Sequence, residues 1–158
     1  PHGYEWFNLN TNFIPFNDEI TNIMPVDNGI FVAADRLYFL DGGSPGQFDL
    51  QERDAVRGVK GTSVKIPGHA VIMENVPTGF KYLFTSDQGI LLCGTGGLVF
   101  NLTEQNVRLG TGEEGAAFFR SDEGINQYVS VLKDPSNQRM KVGDQVQATV
   151  VRNGIEIT

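Results

Sequence analysis

The chain has 158 residues, 40% of them hydrophobic and 11 of them Phe, enough apolar mass for the core of one domain. Its formal charge of −7 at pH 7 repels a nucleic-acid duplex unless a basic patch gathers locally, and the basic residues are scattered, so no nucleic-acid partner is expected. The single cysteine excludes an intrachain disulfide and a cysteine-rich metal cluster, and no apolar run approaches the roughly 20 residues of a membrane-spanning helix.

The start, Pro1-His2-Gly3-Tyr4-Glu5-Trp6, has neither the basic opening nor the apolar centre of a signal peptide. Residues 1–19 read as an aromatic arm or a first strand, and Tyr4, Trp6, Phe7, Phe13 and Phe16 form its candidate interaction surface. From residue 20 to 158, glycines and prolines cut the apolar stretches into strand-length pieces. The expected strands are Ile20–Val26, Gly29–Ala34, Leu37–Leu40, Thr62–Ile66, Ala70–Glu74, Lys81–Thr85, Gly89–Cys93, Leu98–Asn101, Ala116–Arg120, Asn126–Leu132, Gln145–Val151 and Gly154–Ile157. Tight turns such as Asp27-Asn28-Gly29, Asp87-Gln88-Gly89 and Asp122-Glu123-Gly124 join several of them as antiparallel hairpins. Phe48–Val59 has a thin apolar face and reads as loop. Alternation gives a core of Ile30, Val32, Leu37, Phe39, Leu83, Ile90, Leu92, Leu98, Phe100, Phe118, Val129, Val131, Val146 and Val150.

Asn28–Leu40 and Gln88–Asn101 share a Gly-Ile opening, a small-residue centre, a turn and a returning apolar strand, with a shorter echo at Glu123–Val131. Repeated hairpins of this kind fit an all-β fold of propeller-like blades, complete or partial, and also fit a two-sheet β-sandwich.

Candidate chemistry is sparse. Cys93 beside Gly94-Thr95-Gly96-Gly97, with His69 as base and Glu74 or Asp87 to orient it, sketches a cysteine hydrolase; the alternative is a small buried residue before a hairpin turn. The histidines, His2 and His69, lack metal-ligand spacing, and the acidic turns around Asp35, Asp41 and Asp122 lack the alternation of a calcium loop. The glycine-rich stretches lack the Lys-Ser/Thr of a phosphate loop, so no cofactor, metal or small-molecule ligand is expected. Arg53, Arg57, Lys60 and Lys65 are interrupted by Glu52 and Asp54 and read as a solvated face. Asn101-Leu102-Thr103 fits the glycosylation pattern and is expected to be unmodified.

The strings Gly29–Gly42, Phe84–Gly94, Gly97–Thr103, Gly115–Ala117 and Ala148–Ile155 together resemble tailed-bacteriophage virion proteins of β-propeller character from tail or neck assemblies. The resemblance implies a structural, non-enzymatic role: assembly in the host cytoplasm into a virion, with other virion proteins and copies of the chain itself as partners. A receptor- or glycan-binding β module, stacking sugars on Tyr38 or Tyr128, is the competing expectation.

Overall fold

The computed structural model describes residues 13–42, 48–71, 78–103, 113–133, 147–152 and 155–157, the last two segments by their backbone. Among the described residues there are twelve strands and no α-helix. They are β1 Asn22–Val26, β2 Gly29–Ala33, β3 Leu37–Asp41, β4 Asp49–Asp54, β5 Val64–Ile66, β6 Lys81–Ser86, β7 Gly89–Gly94, β8 Leu98–Asn101, β9 Glu114–Asp122, β10 Ile125–Lys133, β11 Gln147–Arg152 and β12 Ile155–Ile157. They pair in sequence order as three antiparallel four-stranded sheets, β1–β4, β5–β8 and β9–β12. Each sheet is open, with two edge strands, and the described residues close no barrel or ring.

The chain is therefore all-β, and the three sheets stack. Met24, Phe31, Ala33, Leu37 and Phe39 of the first sheet meet Phe84, Leu91 and Cys93 of the second, with Val56 between them. On the opposite face of the second sheet, Ile66, Leu83, Ile90 and Leu92 meet Tyr128, Ala117 and Phe119 of the third. The middle sheet is thus covered on both sides, and all six residues of β7, Gly-Ile-Leu-Leu-Cys-Gly, are buried. A strand buried on both faces loses the apolar–polar alternation of a half-exposed one and reads as a continuous apolar run.

Two-residue hairpins follow the turn chemistry. In the β9–β10 turn, Glu123 and Gly124 both have positive φ, 46° and 78°, the geometry that matches the strand twist. In the β6–β7 turn Gly89 sits at φ 134°, and a Cβ there would run into Thr103 Oγ1. Thr103 is buried because its hydroxyl accepts the Ile90 amide at 3.0 Å, while Asn101 Oδ1 accepts the Thr103 amide at 2.9 Å and Asn101 Nδ2 donates to the Gln88 carbonyl at 3.1 Å. The Asn-Leu-Thr string is in this way a staple that ties the end of β8 to the β6–β7 turn.

Several expectations need correction. Phe48–Val59 is not all loop: Asp49–Asp54 is β4, the edge of the first sheet. Its backbone pairs with β3 although all its side chains except Leu50 are polar, as befits an edge strand protected by charge. Pro25 in β1 is tolerated on the other edge. The expected strand Ala70–Glu74 starts instead at the end of a short 3-10 turn, Gly68–Ala70, and its residues 72–74 lie outside the described residues. In β9 and β10 the expected faces are inverted. Phe118 is 54% exposed, and Val129 and Val131 are half-buried, while Tyr128, Ser130 and Leu132 point inward. Ile30, Leu98 and Phe100 are half-buried; Val146 and the side chain of Val150 lie outside the described residues. The repeated hairpin forms the second and third strands of the first sheet but the third and fourth of the second, so it is a repeat of hairpins and does not keep its place from sheet to sheet.

Candidate interaction surfaces

One short segment holds the three sheets together. Asn22 Nδ2, at the start of β1, donates to the Val59 carbonyl at 3.0 Å. The Val59 amide donates to the Thr85 carbonyl of β6 at 2.8 Å, and the Gly115 amide of β9 donates to the Lys60 carbonyl at 2.8 Å. Gly58 has no room for a side chain, because a Cβ would press on Asn22 and Ala33. Arg57–Thr62 thus runs across the ends of all three sheets and satisfies backbone groups of each.

Beside this segment lies a fully buried hydroxyl cluster. The Tyr128 hydroxyl donates to the Thr62 carbonyl at 2.8 Å and lies 3.1 Å from Thr85 Oγ1. Thr85 Oγ1 donates to Ser130 Oγ at 3.0 Å, and Thr62 Oγ1 donates to the Val59 carbonyl at 2.8 Å. Burial pushes the Tyr128 phenol up to about 12. Closed to solvent and satisfied internally, the cluster fixes how the third sheet seats on the second.

Lys81 is buried on the same face of β6, with its ammonium donating to the Gly68 carbonyl at 2.9 Å; desolvation lowers its pKa. Its aliphatic stem fills space at the end of the sheet, and the head group reaches a loop carbonyl.

Cys93, the nucleophile of the expected hydrolase, is not open to a substrate. Cys93 is buried in the core between the first and second sheets, where burial pushes its thiol well above the ordinary cysteine range, so it is held as the inert thiol. The Asp87 carboxylate accepts the Arg57 amide at 3.0 Å, and Glu74 lies outside the described residues. Among the described residues no three His, Cys, Asp or Glu side chains converge on a metal site.

Neither ring proposed for sugar stacking is fully open to solvent. Tyr128 is 1% exposed, which corrects the expectation that it lies on the surface. Tyr38 is half-covered by Phe16, whose ring centroid lies 5.3 Å away, and its hydroxyl donates to the Asp35 carboxylate at 3.1 Å.

Of the aromatic arm, Tyr4, Trp6 and Phe7 lie outside the described residues. Phe13 is 61% exposed, and Phe16 rests on Tyr38. The arm is joined to the crossing segment by Asp18 with Arg57 at 2.7 Å and Glu19 with Lys60 at 2.6 Å. The hydrogen bond and charge of Glu19 raise the Lys60 pKa. The other two members of the basic group are used separately: Arg53 lies over the Phe39 ring, and Lys65 sits 3.8 Å from the Phe80 ring centroid. The four basic side chains therefore do not converge.

Among the described residues, some apolar side chains remain exposed on the outer faces of the stack. On the third sheet, Phe118 and Ala116 of β9 are exposed beside Val129 and Val131 of β10 in the register Phe118↔Val129 and Ala116↔Val131. Ion pairs flank this apolar band at both ends, Lys133 with Glu114 and Arg120 with Asp122. On the outer face of the first sheet, Ile23 is 59% and Leu50 40% exposed, at opposite edges of the rows Ile23↔Val32↔Tyr38 and Pro25↔Ile30↔Leu40↔Leu50, while Val32 and Leu40 between them are buried. Sequence alternation pointed away from the third-sheet surface, because both faces of β9 carry one Ala and one Phe in Ala116-Ala117-Phe118-Phe119.

No protein-family model, curated protein or solved structure matches this chain.

Proposed function

We propose that the chain is a non-enzymatic assembly module that acts by packing the outer faces of its sheet stack against other protein subunits, in the tail or neck of a tailed-phage virion. The observation that carries the assembly reading is the contrast within the stack. The middle sheet is apolar on both faces and covered on both, whereas the outer sheets carry large apolar side chains in water, with Phe118 on one and Ile23 on the other. Apolar bands rimmed by charge mark protein contact surfaces. The virion setting rests on the resemblance of the sequence strings. The inert placement of Cys93 and the burial of Tyr128 weigh against catalysis and sugar stacking.

Immunogold labelling of particles purified from the cells that make the protein tests this reading. Label on the tail or neck is the expected result. Particles that lack the chain would overturn the virion assignment.

A further inference from the structure

We propose that residues 13–20 are a salt-sensitive latch, which closes over Tyr38, Arg57 and Lys60 and opens about Thr21 while the three stacked sheets stay folded. The latch is a property of one chain and stands apart from the assembly reading. It controls part of the outer face of the first sheet, because Tyr38 lies in the outward row Ile23↔Val32↔Tyr38 and Phe16 of the latch covers its ring.

The hinge lies where backbone bonding begins. Among the described residues, the first backbone hydrogen bond from this end of the chain to the stack runs from the Thr21 amide to the Ala33 carbonyl at 2.8 Å. The Thr21 hydroxyl donates to the same carbonyl at 3.2 Å, and β1 continues the ladder from Asn22. Before Thr21 the hold passes to side chains. Phe16 rests on the Tyr38 ring at a tilt of 55°, Asn17 Nδ2 reaches the Asp35 carboxylate at 3.5 Å, Asp18 pairs with Arg57 and Glu19 with Lys60. The Glu19 amide donates to Asp18 Oδ1 at 2.8 Å, so that backbone group is satisfied inside the latch and needs nothing from the stack.

The ion pairs decide whether the latch is shut. Phe16 is the one residue of 13–20 that is not exposed, and Phe13, Ile14 and Ile20 stay in water with the latch closed. Closing therefore buries little apolar area against the entropy of ordering the segment. Both ion pairs are about half exposed, where each is weak and is screened by salt. A segment with so few buried contacts opens well before the core does.

Its partners on the stack keep their places when it leaves. The Arg57 amide donates to the Asp87 carboxylate at 3.0 Å, and the Arg57 carbonyl accepts the Asp87 amide at 3.1 Å. The Lys60 carbonyl accepts the Gly115 amide at 2.8 Å. Tyr38 is paired within the first sheet and donates its hydroxyl to Asp35. Opening thus presents a preformed surface of one ring and two cations, on a chain whose net charge is −7.

Limited proteolysis of the full chain tests the proposal. Chymotrypsin cuts after Phe16 only when the residues on both sides have left the stack. The cut is identified by mass, and its rate is divided by that of the free peptide of residues 10–22 in the same buffer, which removes the effect of salt on the protease. At about 20 mM salt the wild type is expected to be cut at least about tenfold more slowly than the peptide, and about 0.5 M salt is expected to raise its rate about three- to tenfold. Arg57→Gln combined with Lys60→Gln is expected to give the faster rate at both salt concentrations with the urea midpoint unchanged. Asp18→Asn combined with Glu19→Gln breaks the same pairs from the latch side, leaves the stack untouched and is expected to match it.

Cutting of the wild type at the peptide's rate in low salt overturns the closed state. A rate unmoved by salt and by both double replacements overturns the ion pairs as the lock. Cutting that appears only in urea, in step with loss of the core, overturns independent opening.

Discussion

The Tyr128 hydroxyl of the third sheet donates to the carbonyl of Thr62 in the crossing segment at 2.8 Å, tying the last sheet to the strap that also holds the first two. Tyr128→Phe keeps the ring and strips the bond, leaving a buried carbonyl and the Thr85 hydroxyl short of a partner. It is expected to cost about 1–3 kcal/mol in urea unfolding. Burial of the phenol also sets an alkaline limit. The folded pKa is raised from 10.0 to about 12, so the unfolded chain gives up this proton first. The stability that Tyr128 contributes is whole below about pH 10 and is lost as pH climbs through about 12. The margin of wild type over Tyr128→Phe should therefore shrink across that window; a margin that stays constant contradicts the assignment.

Gly89 is expected to tolerate no side chain. At φ 134° with Thr103 Oγ1 in the place of a Cβ, Gly89→Ala combines backbone strain with displacement of the Thr103 staple. It should cost at least about 1–3 kcal/mol, read as a lower urea midpoint at unchanged slope. A cost within about 0.5 kcal/mol, the range of an ordinary surface change, contradicts the turn geometry.

How much of this was legible in the sequence differs by element. The hairpins β2–β3 and β7–β8 were readable because Gly-Ile openings, tight turns and apolar returns all point the same way, and β8 has the expected bounds Leu98–Asn101. β4 was not, because Asp-Leu-Gln-Glu-Arg-Asp offers no apolar face and gains its place from backbone pairing with β3. The inward face of β10 was hidden by Tyr128-Val129-Ser130-Val131-Leu132, where the more apolar pair, Val129 and Val131, points out. Tyr128 and Ser130 point in because Thr62 and Thr85, distant in sequence, satisfy their hydroxyls. The outward placement of Phe118 was hidden because Ala116-Ala117-Phe118-Phe119 gives each face of β9 one Ala and one Phe.

That inversion of faces is itself testable on neighbouring phenylalanines. At protein concentrations low enough to keep the chain monomeric, Phe118→Ala should change unfolding stability by no more than about 0.5 kcal/mol. Phe119→Ala removes a ring packed on the core between the second and third sheets and should cost roughly 2 kcal/mol or more. The reverse order would place Phe118 inside.

Cys93 should behave as core. Its thiol is buried and held protonated, so an aromatic disulfide reagent should react with it only after unfolding, at a rate that follows denaturant concentration. Rapid modification of the native chain would contradict its placement between the sheets.

The most direct test of the central claim, that the outer sheet faces are contact surfaces, uses this inertness. In a Phe118→Cys variant the new thiol at position 118 is the one open to a water-soluble maleimide, and its labelling rate can be compared between the isolated monomer and the assembled particle. The account predicts fast labelling in the monomer and protection of at least about tenfold in the assembly. Equal rates in both states would show that this face stays in water when the protein is at work, and would contradict it.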